Sequence, residues 1–121
     1  NVTLAGRLNT RELVEAYHQA RALVVPSTTH KEGNPLVVAE ALYAGTPVIA
    51  SDQPPMVESV GEAGIIVEQR DSSALSQTIR RIYQDEKYYE QLRRKAVTRG
   101  EKFSFSHYVK KIDEVVTQAM R

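Results

Sequence analysis

Short unbroken apolar runs and longer apolar stripes at helical spacing take turns along this chain. Val2, Leu4 and Ala5 before Gly6 predict a short strand over residues 2–5. Asn9-Thr10-Arg11-Glu12 then fits a capping box, in which Asn9 caps and Glu12 reaches back. Leu13, Ala16, Tyr17 and Ala20 recur on one face of the helix that follows. Residues 22–25 form a continuous apolar run closed by Pro26 and Ser27, as expected of a strand covered on both faces in a parallel sheet. A polar loop over residues 27–34 leads to Pro35, which suits a first helical position because its missing N–H is not needed there.

The pattern predicts a helix over residues 35–44, ended by a left-handed glycine at Gly45, and a buried strand over 46–50 with Pro47 near its start. One further short strand is expected over 65–67, after turns at Gly61 and Gly64. Beyond it the chain reads as helical. Ser72 or Ser73 caps a helix with Leu75, Ile79, Ile82 and Tyr83 on one face, and a second helix carries Leu92 and Ala96 and closes near Gly100. Ser104 or Ser106 opens a terminal helix whose stripe of Val109, Ile112, Val116 and Ala119 needs a cover. Tyr83, Tyr88 and Tyr89 are expected to pack helix against helix. Strands alternating with helices predict an α/β fold, a Rossmann-like parallel sheet flanked by helices and followed by C-terminal helices.

With 121 residues the chain has the length of one domain, and 41% apolar with 26% charged residues excludes both a disordered tail and a membrane span. A net charge of +1 provides no general field for nucleic acid. The basic cluster of Arg93, Arg94, Lys95, Arg99, Lys102, Lys110 and Lys111 reads as solvated helix faces. The absence of cysteine removes disulfides, a thiol nucleophile and cysteine-type zinc sites, and suits a reducing cytosol. His18 and His107 lack partners at metal spacing, and Pro26-Ser27 lacks the glycines of a nucleophile elbow. His30, in the polar loop, reads as a solvated side chain rather than a base.

In open α/β sheets ligands bind beyond the carboxyl ends of the strands, so the loops after Ala5, Ser27 and Ser51 are the candidate positions. The middle loop is the richest. It offers the Glu32 carboxylate, then Gly33, then a helix start whose unpaired N–H groups favour an anion. Residues 33–37 are thus a candidate diphosphate seat. Glu40, inside the same helix, carries a carboxylate able to accept from the vicinal hydroxyls of a ribose.

Pro26-Ser27, Glu32-Gly33-Asn34-Pro35, Glu40-Ala41-Leu42 and Gly45-Thr46-Pro47-Val48-Ile49-Ala50 together closely resemble the C-terminal domain of the group 1 (family 4) retaining glycosyltransferases of GT-B fold, whose paired acids are written E-x7-E. Residues 6–17 and the Phe103-Ser104-Phe105 turn resemble the same family. The resemblance implies sugar transfer from a nucleotide-diphospho-sugar to an acceptor hydroxyl with retained anomeric configuration. It implies Glu32 at the donor sugar and near the reacting face, with the backbone of Gly33 and Asn34 beside it. Leu36 and Val37 would give N–H groups to the diphosphate, Glu40 would hold the ribose, and Arg7 or Leu8 would lie near the base. No metal or other cofactor is implied, cationic side chains and the helix start serving the leaving group instead.

Asn34-Pro35 stands where many members have phenylalanine and glycine, which removes one N–H from that spot. The family's arginine and lysine clamp has no counterpart here, because Glu12 stands where the lysine would follow Gly6-Arg7. The expectation is therefore a single partial domain over residues 1–121, with the acceptor-binding domain and the first part of the C-terminal domain outside it. The expected partners are the nucleotide-sugar and that absent domain, with no nucleic acid, and the location is cytoplasmic or at the cytoplasmic membrane face. Rival readings are a sugar-nucleotide epimerase or phosphorylase of the same architecture, and a non-catalytic interaction module.

Overall fold

A computed structural model describes residues 1–28 and 35–121 of the chain. Its elements run α1 (Thr10–Gln19), β1 (Leu23–Val25), α2 (Leu36–Tyr43), β2 (Val48–Ser51), α3 (Pro54–Val60), β3 (Gly64–Val67), α4 (Ser72–Gln84), α5 (Glu86–Gly100) and α6 (Phe105–Ala119), with a 3-10 turn at Glu101–Phe103. The three strands pair in parallel in the order β1-β2-β3. Val24 sits opposite Ile49, and Ile49 opposite Ile65.

Every residue of β2 is buried, because a strand with a neighbour on each side and helices on both faces has no polar face to offer water. Its side chains divide the core in two. Val48 and Ala50 join Val38, Ala41 and Leu42 of α2, Met56 and Val60 of α3, and Ala96 of α5. Ile49 points the other way, to Val67, Ile82 and Leu92, with Leu75, Tyr88 and Tyr89 packed around them. Period-two alternation of one strand thus supplies both layers.

Local chemistry sets the helix ends. Asn9 Oδ1 accepts the Glu12 N–H at 2.9 Å while Glu12 Oε2 accepts the Asn9 N–H at 2.8 Å, the expected capping box. At the end of α2, the Gly45 N–H bonds the Leu42 carbonyl and the Thr46 N–H bonds the Ala41 carbonyl, with Gly45 at φ 79°. That is a Schellman ending, which glycine adopts without a Cβ clash. Pro35 stands just before α2, as its cap residue rather than its first helical residue.

Several expectations need correction. Residues 2–5 form no strand: Val2 and Leu4 are 90% and 94% exposed, and no strand pairs with the segment among the described residues. An extended run without a ladder has nothing to hold it as a strand. Asp71, not Ser72 or Ser73, caps α4, its Oδ1 accepting the Ala74 N–H at 2.8 Å after Arg70 turns the chain at φ 64°. Helix α3 was not foreseen, although Pro54-Pro55 fill its first positions as proline tolerates. Gly64 is no turn residue but the first residue of β3, where an added Cβ would lie 1.9 Å from the Val48 carbonyl oxygen.

Of the three tyrosines, Tyr88 and Tyr89 do pack into the second core layer, but Tyr83 is exposed. The Arg21 guanidinium lies 4.0 Å from the Tyr89 ring centre and 5.8 Å from that of Tyr83, and Arg81 lies 3.7 Å from that of Tyr88. These rings face cations as well as helices. Within the basic cluster Arg99 is more than a solvated charge, since its guanidinium donates to the Glu58 and Ser59 carbonyls at the end of α3. The stripe on α6 stays exposed, with no residue of that helix buried.

Gly100 ends α5 in ordinary right-handed conformation, so its role is size rather than backbone freedom. A Cβ there would lie 2.1 Å from the Leu42 carbonyl oxygen, across the contact between α5 and α2. Gly100→Ala is expected to cost about 2–3 kcal/mol by forcing the two helices apart. Asn9→Ala, which removes only a cap, is expected to cost about 1 kcal/mol. Urea unfolding of both variants checks the ranking, and a loss at Gly100 no larger than that at Asn9 would contradict the close approach.

Candidate functional site

The sheet's carboxyl edge is assembled from β1 and β2. Ser27, just beyond β1, presents a carbonyl that accepts from Ser51 Oγ at 2.5 Å and from Gln53 Nε2 at 2.8 Å. Both donors are buried, and both come from the end of β2 and the segment after it. Two of the three loops singled out from the sequence are therefore tied together. The tie escaped the sequence reading because Ser51 and Gln53 carry no motif, and only the parallel pairing of β1 with β2 brings them to Ser27.

Glu32, Gly33 and Asn34, the sugar-side residues, lie outside the described residues, as does His30. Leu36 and Val37 open α2 with exposed side chains. Their N–H groups precede the first bond inside the helix, which the Val38 N–H makes to the Pro35 carbonyl at 3.0 Å. Helix geometry leaves such leading N–H groups without an intrahelical acceptor, with the positive end of the helix dipole behind them. Arg7 lies in the exposed segment before α1, directly after Gly6 at φ 67°, and makes no ion pair among the described residues.

Glu40 lies one turn into α2, with its neighbour Ala41 in the core and its own side chain exposed. Its Oε2 accepts a hydrogen bond from the Tyr17 hydroxyl at 2.9 Å, which joins α1 to α2. Tyr17 is a residue the sequence reading placed only on an apolar helix face. Its ring does pack against the first core layer, while its hydroxyl reaches past that layer to the carboxylate. Burial, followed by the hydrogen bond and the negative charge of Glu40, pushes the Tyr17 phenol up to about 12, so it remains a donor at neutral pH.

This arrangement can seat an anion at the start of α2 and offer carboxylate lone pairs one turn further along the same helix. The chain's first 99 residues match the family model described as glycosyl transferases group 1. The O-antigen chain mannosyltransferase B of Escherichia coli is 30% identical over 102 residues, covering 84% of this chain and 26% of that protein. A glycogen synthase of Mycobacterium tuberculosis is 37% identical over 82 residues, covering 66% of the chain and 19% of the relative. Among solved structures, a sucrose-phosphate synthase from Thermosynechococcus elongatus superposes with a TM-score of 0.82 at 30% identity, over 98% of this chain and 30% of that one. The chain thus spans about a quarter of the length of these relatives. On a family match over most of its length and a parallel sheet of the corresponding fold, the chain belongs to the group 1 glycosyltransferases.

Proposed function

We propose that this chain is the donor-holding part of a retaining transferase that moves a sugar from a nucleotide-diphospho-sugar to an acceptor hydroxyl. The observation that carries the reading is the placement of α2, whose leading N–H groups at Leu36 and Val37 follow β1 at the sheet's carboxyl edge, with Glu40 one turn inside. In this reading those N–H groups hold the diphosphate and Glu40 accepts from the ribose hydroxyls. Glu32, flanked by Gly33 and Asn34, faces the sugar, and Arg7 lies toward the base. No metal takes part.

In the transfer step the acceptor oxygen forms a bond to the anomeric carbon on the face from which the phosphate oxygen departs. The bonding pair leaves with the nucleoside diphosphate, and the acceptor proton passes to a phosphate oxygen. The developing negative charge is met by dipoles already oriented at the start of α2. The acceptor comes from a further part of the protein, so this chain alone binds donor weakly and turns over little. The whole protein works in the cytoplasm or at the inner membrane face; no helix among the described residues is long and apolar enough to cross a membrane.

Calorimetric titration of UDP, GDP and ADP is expected to show binding of at least one; a folded protein that binds none of them at millimolar concentration removes the reading. Glu40→Ala is expected to weaken the nucleotide that binds by about tenfold, the scale of hydrogen bonds to a charged group. Unchanged affinity would take the ribose role away from Glu40.

A further inference from the structure

Glu40 is exposed, and an exposed glutamate ordinarily samples many rotamers. Among the described residues it has no cationic partner, and its hydrogen bond is to Tyr17. Tyr17 in turn is held at two further places. Its ring lies against the core layer that includes Val38, Ala41 and Leu42 of α2, and its carbonyl accepts from Thr46 Oγ1 at 2.6 Å. Thr46 is only 3% exposed and is itself fixed by the Schellman ending of α2, through its N–H on the Ala41 carbonyl at 2.8 Å. The C-terminal end of α2 therefore anchors the backbone of α1, whose tyrosine reaches the carboxylate in the middle of the same helix.

We propose that Tyr17 is a positioning residue for nucleotide binding, its hydroxyl setting the orientation of the Glu40 carboxylate toward the two vicinal hydroxyls of a ribose. The proposal rests on the ribose role assigned to Glu40 above. A phenol suits this task for two reasons. It has one proton to give, and a carboxylate has about four acceptor positions, so most of them stay open for ligand hydroxyls. It is also neutral, so it orients the carboxylate without competing with the ligand as a full cation would. A phenol is protonated at neutral pH, and burial and the neighbouring Glu40 move its titration further from that range.

The test compares whichever of UDP, GDP or ADP binds the full-length protein with its 2′,3′-dideoxy form, by calorimetry. Wild type is expected to prefer the ribonucleotide, and Glu40→Ala to abolish that preference. Tyr17→Phe, which keeps the ring packed against the core, is expected to weaken the ribonucleotide about three- to tenfold while leaving the dideoxy form unchanged. In a Glu40→Ala background Tyr17→Phe should then have no further effect, since both act through the same carboxylate.

If Tyr17→Phe weakens both nucleotides equally, with a lowered melting temperature, the residue only packs and the proposal is overturned. A preserved ribose preference in Tyr17→Phe, with that preference lost in Glu40→Ala, overturns the role of Tyr17 and leaves that of Glu40 standing. Should Glu40→Ala keep the preference, or should no nucleotide bind wild type, both assignments fall together.

Discussion

The structure depends on β2 being enclosed from every side. Its backbone pairs with β1 on one edge and β3 on the other, and its side chains alternate between two helical layers. A strand so placed leaves its neighbours little choice of position. Helix α2 enters β2 and α3 leaves it, both on the layer of Val48 and Ala50, α4 closes the layer of Ile49, and α5 reaches both layers through Ala96 and Leu92. Close contacts at two glycines complete the arrangement, Gly64 against the Val48 carbonyl and Gly100 against that of Leu42. Where backbone meets backbone at that range, a methyl group has no room.

The same enclosure builds the candidate site. Because β1 and β2 run parallel, both of their carboxyl ends arrive at one edge, and Ser51 and Gln53 can fasten the Ser27 carbonyl. Because α2 crosses back between those strands, its leading N–H groups open at that edge and its far end turns into β2 through Gly45 and Thr46. Thr46 then couples the turn to α1, and Tyr17 couples α1 back to Glu40. The candidate helix α2 is thereby tied to α1 both at its C-terminal turn and at Glu40. Arg21 and Arg99 do comparable work elsewhere, the first between two tyrosine rings and Glu86, the second at the carbonyl end of α3.

The relatives share this frame over a stretch that is about a quarter of their own length. The same sheet and helices occur in a sucrose-phosphate synthase, and sequence similarity extends to a mannosyltransferase and a glycogen synthase. Function on such a frame is set by the groups placed at its edge. The exposed apolar side chains of α6, among them Val109, Ile112 and Val116, find no cover among the described residues, in contrast to the filled layers around β2.

Much of this was legible in the sequence because the signals are local. Asn9 with Glu12, Gly45 after Ala44, and the apolar runs near Leu23 and Val48 each act within a few residues; the cap, the turn and both strands form, but β1 ends the sheet with Val24 exposed instead of being covered on both faces. The α/β class followed from such signals, whereas the family came from the resemblance of the motifs between Pro26 and Ala50, which include Glu40. What the sequence left open was decided by partners distant along the chain. Residues 2–5 have strand-forming side chains but no ladder, Gly64 and Gly100 are small because of carbonyls on other elements, and Tyr17 meets Glu40 across 23 positions. Propensity and spacing express what a residue does to its own backbone; which carbonyl lies 2.1 Å from a missing methyl, or which phenol bonds a carboxylate, follows only once the helices have packed on the sheet.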